Sequence, residues 1–138
     1  MVKRGGSNND DMSVSRLLRL PDNTIIDDTF QRGVELFNRG DYFACHEVWE
    51  ELWLRSTGDD KLFYQGLIQA AVAVLHAERG NLRGAVSTWR KARAKLDAMP
   101  TNHMGIALED FREALAGFIA NARDSKNLPS RPRIRRFT

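Results

Sequence analysis

The sequence predicts an all-α fold, a five-helix bundle built from two stacked tetratricopeptide-like helix hairpins plus a C-terminal packing helix. Apolar residues recur at spacings of three and four in five successive segments, and short connections rich in Gly, Pro, Asn and Asp separate them. No segment shows a convincing strand alternation. With 138 residues, 42% of them hydrophobic, the chain can bury one core without disulfides. We expect a mobile leader over 1–23, a single helical domain over 24–124 and a basic irregular tail over 125–138.

The first helix is predicted over about 24–39 and the second over about 41–55. Gly40 provides the stop after the first helix, and Asp41 is the expected N-cap of the second. The apolar stripes that define these helices are Ile26, Phe30, Val34 and Phe37 in the first and Tyr42, Cys45, Trp49 and Leu52 in the second.

The third helix is predicted from Asp59 or Asp60 to about Arg79. Its uncharged stretch, 62–77, is apolar nearly all round, which places this helix in the middle of the bundle. The stretch is also shorter than the roughly 20 apolar residues of a membrane span, so we expect no membrane partner.

The fourth and fifth helices follow two further breaks in the pattern. A turn at Gly80 and Asn81 leads into the fourth helix, predicted over about 82–99, and a Pro-containing turn separates it from the fifth. His103 lies in the polar segment before the fifth helix and is expected at the surface. The core stripe of the fifth helix is Leu108, Phe111, Leu115, Phe118 and Ala122.

Two stretches, 40–51 and 80–91, repeat at an offset of 40 residues and share the pattern G-[DN]-[YL]-x-x-[CA]-x-x-x-W. A glycine ends one helix, Asp or Asn caps the next, and a small residue lets the helices approach. The pattern resembles the turn and second helix of tetratricopeptide hairpins, although that repeat is 34 residues long. Two acids of the first copy correspond to Arg90 and Lys91, so the second helix is acidic and the fourth basic. This favours their mutual packing or a polarised surface.

Charge and cysteine content limit the class of protein. The formal charge of +3 derives largely from four arginines in the last ten residues, so it is weak support for nucleic-acid binding by the whole domain. The lone Cys45 excludes an intramolecular disulfide and indicates a small core residue in a reducing compartment. Since the first residues lack a secretory pattern, we expect the cytoplasm, with a plastid stroma as the alternative.

A polar seam is predicted between the second and third helices. His46 and Glu50 are four residues apart on one helical face, and three polar residues line one side of the otherwise apolar third helix. We expect these groups to lie together between the two helices, covered by the side chains of Trp49 and Trp53. The candidate ligand-binding residues are His46, Glu47, Trp49, Glu50, Trp53, Gln65, Gln69 and His76.

Three interpretations of this seam remain open. It is a hydrogen-bonded network that sets helix register, a pocket for a small polar ligand, or a divalent metal site formed by His46, Glu50 and His76. The last would make the protein a metal-dependent or acid/base enzyme. Because repeat-like hairpins and a lone polar seam suit recognition better than turnover, the sequence favours a helical binding or interaction module, with a small ligand or a protein as its partner. A further alternative is nucleic-acid contact through the Arg-rich tail.

Three motifs in a fixed order carry a resemblance to a known family. They are F-x-x-G-x-x-L-F-N-x-G-x-Y-F-x-x-H-E-V-W-E-E-L-W from Phe30, Y-Q-G-L-I-Q-A-A-V-A from Tyr64 and G-N-L-x-G-A from Gly80. Over about residues 27–97 the chain resembles the family called domain of unknown function 309. The resemblance implies a small helical bundle and no particular activity. The motif positions that it matches are His46, Glu47, Trp49, Glu50, Trp53, Gln65, Gln69 and Gly80.

Overall fold

The computed structural model describes residues 17–19, 25–124 and 130–137. Within these ranges it contains five α-helices, so the predicted all-α bundle is confirmed. The helices are α1 (Asp28–Asn38), α2 (Tyr42–Arg55), α3 (Gly58–Glu78), α4 (Leu82–Leu96) and α5 (Leu108–Asp124).

Two short strands precede the bundle. Strand β1 (Leu17–Arg19) pairs antiparallel with β2 (Ile25–Asp27). The first helix therefore begins at Asp28 and not at residue 24, because two β-branched isoleucines favour extended backbone and an acid suits the first turn of a helix. Apart from β1, the predicted leader lies outside the described residues.

Helix α3 is the central element of the bundle. It packs against α2 on one side and α4 on the other, and it also contacts α5. Glycine and alanine on its buried side let the neighbours approach closely. At Gly66, an added Cβ would lie 2.9 Å from Cδ2 of Leu96 in α4. No helix in the described ranges is long and apolar enough to cross a membrane.

The repeated motif produces the same turn twice. Gly40 has φ 84° and Gly80 has φ 81°. In each turn the glycine N–H bonds three residues back and the next N–H bonds five residues back, to Leu36 O at 2.9 Å in one turn and to His76 O at 2.8 Å in the other. These are Schellman-type ends, and glycine accommodates the left-handed backbone they require. Asp41 lies at the N-cap but makes no side-chain cap bond, unlike its counterpart in the second copy.

The buried indole of Trp49 joins α2 to α1. Its Nε1 donates a hydrogen bond to the carbonyl of Phe30 at 3.2 Å, and its ring stacks between Phe30 and Phe37 at centroid distances of 6.3 Å. The ring lies directly against Gly33 of α1, where an added Cβ would overlap it. Close approach of these helices therefore requires a glycine at this position.

Residues 130–137, here called the C-terminal strap, lie against the bundle without regular secondary structure apart from a bridge at Arg136. The side chain of Asn38 accepts from Ile134 N at 2.8 Å and donates to Ile134 O at 2.9 Å. Ile134 itself is buried. At the far end Ala107 N donates to Arg135 O at 2.7 Å, and Phe137 N donates to Gly105 O at 2.9 Å. The described part of the predicted tail is thus irregular in structure but packed against the domain.

Helix α4 ends at Leu96, three residues earlier than predicted, and a 3₁₀ turn follows at His103–Gly105. The prediction of a surface position for His103 is wrong, because this turn places its ring edge-on against Phe63 of α3 at 4.6 Å. Only 20% of its side chain is exposed, and its Nε2 lies 3.5 Å from Oδ1 of Asp60.

Substitution of Gly33 by alanine should destabilise the protein by about 1–3 kcal/mol, because the new methyl group overpacks the indole of Trp49. Urea unfolding followed by tryptophan fluorescence measures the loss. The matched control is Gly117→Ala in α5, where an added Cβ meets open space and where stability should rise by up to about 1 kcal/mol. Equal effects at the two positions would contradict the proposed role of the α1–α2 contact.

Candidate functional site

The outward side of α2 carries the chemically distinctive surface of the domain. Phe43 and Leu54 are 62% and 67% exposed, whereas large apolar side chains are otherwise buried or half-buried in the described helices. They are eleven residues apart, which is about 16 Å along the helix axis and close to three full turns. The two side chains therefore lie on one side of α2. We call the surface formed by Phe43, His46, Glu47, Glu50 and Leu54 the α2 face.

Two carboxylates lie between the apolar ends of the α2 face. Glu47 and Glu50 are exposed, and neither forms an ion pair or a side-chain hydrogen bond with another described residue. His46 is half-buried and its ring stacks on Phe43, with centroids 6.4 Å apart and planes at 22°. This contact places the His46 ring beside the apolar end of the α2 face.

Two of the three polar residues of α3 hydrogen-bond to α4 or to the turn that precedes it. Oε1 of Gln69 accepts a hydrogen bond from Nζ of Lys95 at 2.9 Å. Nδ1 of His76 lies 3.2 Å from Nδ2 of Asn81, in the turn that leads into α4. Gln65 is half-buried, and its side chain makes no hydrogen bond to another described residue. Two of the three predicted α3 residues thus already have partners on the far side of the central helix.

The predicted seam is therefore divided between two surfaces. Within the described residues, no side-chain hydrogen bond joins His46 to Glu50 or either of them to α3. Trp49 does not cover this region, because its indole is buried on another side of α2, against α1. Trp53 is half-buried beneath Lys61, whose Nζ lies 4.3 Å from the ring centroid, and its Nε1 has no hydrogen-bond partner among the described residues.

The metal site predicted from His46, Glu50 and His76 is not formed. In the part of the chain that the structure describes, no three His, Cys, Asp or Glu side chains are placed to hold a metal ion. The reason lies in the helix geometry: Glu50 is on the exposed side of α2, while His76 contacts the turn after α3.

Burial raises the pKa of two side chains of α2, Tyr42 and Cys45. Burial, reinforced by the charge of Glu78, raises the pKa of Tyr42 to about 12, and the tyrosine hydroxyl has no hydrogen-bond partner among the described residues. Burial likewise raises the pKa of Cys45, so this residue is a protonated core thiol and not a nucleophile. The guanidinium of Arg131 forms two bonds to Glu78, at 2.7 and 3.2 Å, and lies 5.8 Å from the Tyr42 ring centroid.

The sequence interpretation missed Phe43 and Leu54. Both lie outside the apolar stripe that marks the core of α2, and single apolar residues on a surface are common. The available signal was the series Phe43, Glu47, Glu50, Leu54, at spacings of four, three and four, which places two apolar and two acidic residues on one side of a helix.

The fold and this surface describe a small all-α bundle of helix hairpins with a candidate site on the outward side of its second helix. Residues 30–88 match the family model described as Domain of unknown function (DUF309). The resemblance predicted from the sequence motifs is thereby confirmed over this segment, which contains α2, α3 and most of α1.

Relatives and a solved structure agree with that match. The chain is 34% identical over 80 residues to an uncharacterized protein of Aquifex aeolicus (strain VF5), a match that covers 57% of this chain and 24% of that protein. It is 43% identical over 53 residues to the uncharacterized protein YpuF of Bacillus subtilis (strain 168), covering 38% of this chain and 30% of YpuF. The chain thus spans less than a third of the length of either relative.

The crystal structure of a conserved hypothetical protein from Thermus thermophilus has a similar fold. The TM-score is 0.60 at 28% identity, and the match covers 65% of this chain and 94% of that one. The helical domain therefore makes up nearly the whole of that chain.

Substitution of Tyr42 by phenylalanine should make the protein less sensitive to alkali. The pKa is about 10 in an unfolded chain and about 12 in the folded protein, so the folded state retains a proton that the unfolded state loses. The contribution of the Tyr42 hydroxyl to the free energy of unfolding is therefore fully present below pH 10 and is lost as the pH rises to 12. We expect wild type to lose roughly 1–3 kcal/mol more than the variant over this interval. Urea unfolding at a series of alkaline pH values tests this, and parallel curves for the two proteins would contradict it.

Proposed function

We propose that this protein is a helical binding module whose α2 face receives a basic amphipathic helix of a partner protein. The observation that carries the proposal is the exposed series on α2, with apolar Phe43 and Leu54 at its ends and Glu47 and Glu50 between them. A partner helix that lies along α2 would bury both apolar ends and place basic side chains opposite the carboxylates.

Energetic considerations support this role. Exposed aromatic and aliphatic side chains gain roughly 25 cal/mol for each Å² of apolar surface that a partner covers, and such anchors dominate binding at interfaces. The carboxylates add steering and orientation more than affinity, since their charges are solvated before binding. Glu47 and Glu50 are free to do so because they have no ion-pair partner among the described residues.

The architecture also suits recognition. Two hairpins with the same turn geometry hold α2 rigidly between α1 and α3, so its outward side chains sit on a fixed backbone. In this respect the domain is similar to tetratricopeptide hairpins, and stacked helical hairpins commonly provide binding surfaces. We further propose that the protein acts in a reducing compartment such as the cytoplasm, a location with which its single buried cysteine is compatible.

Binding of a synthetic helical peptide tests the proposal. The probe is a peptide of about 18 residues with leucine at helical spacings of three and four and lysine elsewhere, and the control peptide has the same composition in scrambled order. We expect wild type to bind the amphipathic peptide at least about tenfold more tightly, as measured by isothermal titration calorimetry, because only that peptide presents one apolar side.

Two variants of the α2 face locate the binding site. Phe43→Ser with Leu54→Ser should weaken binding about tenfold or more. Glu47→Gln with Glu50→Gln should reduce the salt dependence of binding. Glu109→Gln with Glu113→Gln, which neutralises two exposed acids of α5, is the matched control and should change neither. All these positions are exposed, so their effects on folding should be within about 0.5 kcal/mol.

Three results would overturn the proposal. One is equal binding of the scrambled peptide, and another is an equal loss of binding in the α5 control variant. The third is a concentration-dependent oligomer of wild type, seen by sedimentation, that the Phe43 and Leu54 substitutions dissociate, since a second copy of the chain would then occupy the α2 face.

A further inference from the structure

Three arginine side chains lie along the exposed edge of the C-terminal strap. Pro132 and Ile134 are buried, whereas Arg131, Arg133 and Arg135 are exposed. Successive residues of an extended chain point to opposite sides, so the buried pair fixes the three arginines on the outer edge. Phe137, 45% exposed, is the next residue in the same alternation.

The backbone of residues 134–137 is held in place by hydrogen bonds to the bundle. The amide of Asn38 pairs with both backbone groups of Ile134, and the carbonyl of Arg135 accepts a hydrogen bond from Ala107 N. Ile106 and Arg136 also form an antiparallel bridge. The arginines are therefore displayed on an ordered scaffold, which lowers the entropy lost when they bind a ligand.

A cleft of about 360 Å³ lies between the strap and α5. All three outer arginines line it, together with Ser130 and, from α5, Asp110 and Ala114. The cleft thus carries three guanidinium groups against one carboxylate, and guanidinium groups bind phosphate oxygens through paired hydrogen bonds.

The arginines differ in the contacts they already make. Arg131 is paired with Glu78, and Arg133 donates one bond to the carbonyl of Asn38 at 3.3 Å. The guanidinium of Arg135 has no partner in the described part of the chain. Arg135 is consequently free to bind an anion, and Arg133 keeps further N–H donors beyond its one bond to Asn38, while Arg131 holds the strap to α3.

We infer that the outer edge of the strap is a contact site for single-stranded nucleic acid. Arg133 and Arg135 would contact phosphates, and Phe137 would provide a surface on which an unpaired base stacks. Basic groups that follow the backbone beside an exposed aromatic ring are the usual combination for such binding. All three arginines line the cleft, and Phe137 continues the same alternation beyond its lining residues, so this surface suits an extended polyanion better than a single phosphate.

Fluorescence anisotropy with labelled oligothymidylate of about 12 nucleotides tests this inference on the full chain, between about 50 and about 200 mM KCl. We expect wild type to bind it more tightly than a duplex of equal length. Arg133→Gln with Arg135→Gln should weaken binding at least about tenfold and reduce the salt slope by about 1.4, since each single-strand phosphate contact contributes about 0.7. Phe137→Ala should weaken it roughly fivefold or more through lost stacking.

The matched control replaces two exposed arginines of α4, Arg83 and Arg90, by glutamine, which removes the same net charge. Removal of the strap is not a suitable test, because Ile134 belongs to the core. The single variant Arg135→Gln, which loses no described contact, guards against misfolding as the cause of a loss.

Four results would overturn the inference. They are absence of binding at the lower salt concentration, an equal loss in the α4 control, equal or tighter binding of the duplex, and equal displacement of the oligonucleotide by polyglutamate. The last two would assign the arginines to duplex contact or to an acidic protein segment.

Discussion

The packing of Trp49 against α1 is the contact on which the rest of the molecule depends. Its indole occupies the space that Gly33 leaves open, and its N–H satisfies the carbonyl of Phe30. This contact sets the rotation of α2 about its own axis. Once Trp49 points inward, helical geometry directs Phe43 and Leu54 outward, so the candidate binding surface is a consequence of core packing.

The end of α1 connects the core to the strap. The side chain of Asn38, the last residue of α1, forms two hydrogen bonds with the backbone of Ile134. Two residues later, Gly40 leaves room for the guanidinium of Arg131. A side chain amide that pairs with both backbone groups of one residue imitates a strand partner. The strap is therefore ordered by the same turn that begins α2, and both candidate surfaces depend on it.

The sequence predicted the helices well because their periodicity and their turn residues are local signals. Both glycine turns and the buried Trp49 follow directly from spacing. The predicted meeting of the polar groups of α2 and α3 is not observed, because spacing shows which residues share a side of a helix but not which neighbouring helix covers that side. Gln69 and Lys95 are 26 residues apart, and only the packing of α3 on α4 brings them together. The order of the strap was likewise concealed, since its alternation contains only two buried residues.

The two candidate surfaces have opposite charge, and this constrains what each can bind. The α2 face combines carboxylates with apolar ends, so it repels a polyanion and favours a basic partner. The strap combines arginines with one exposed ring and has the reverse preference. Because α2 and the strap meet at Gly40 and Tyr42 through Arg131, they are mechanically connected while electrostatically distinct. The two proposals therefore place ligands of unlike charge on separate surfaces of one helical framework.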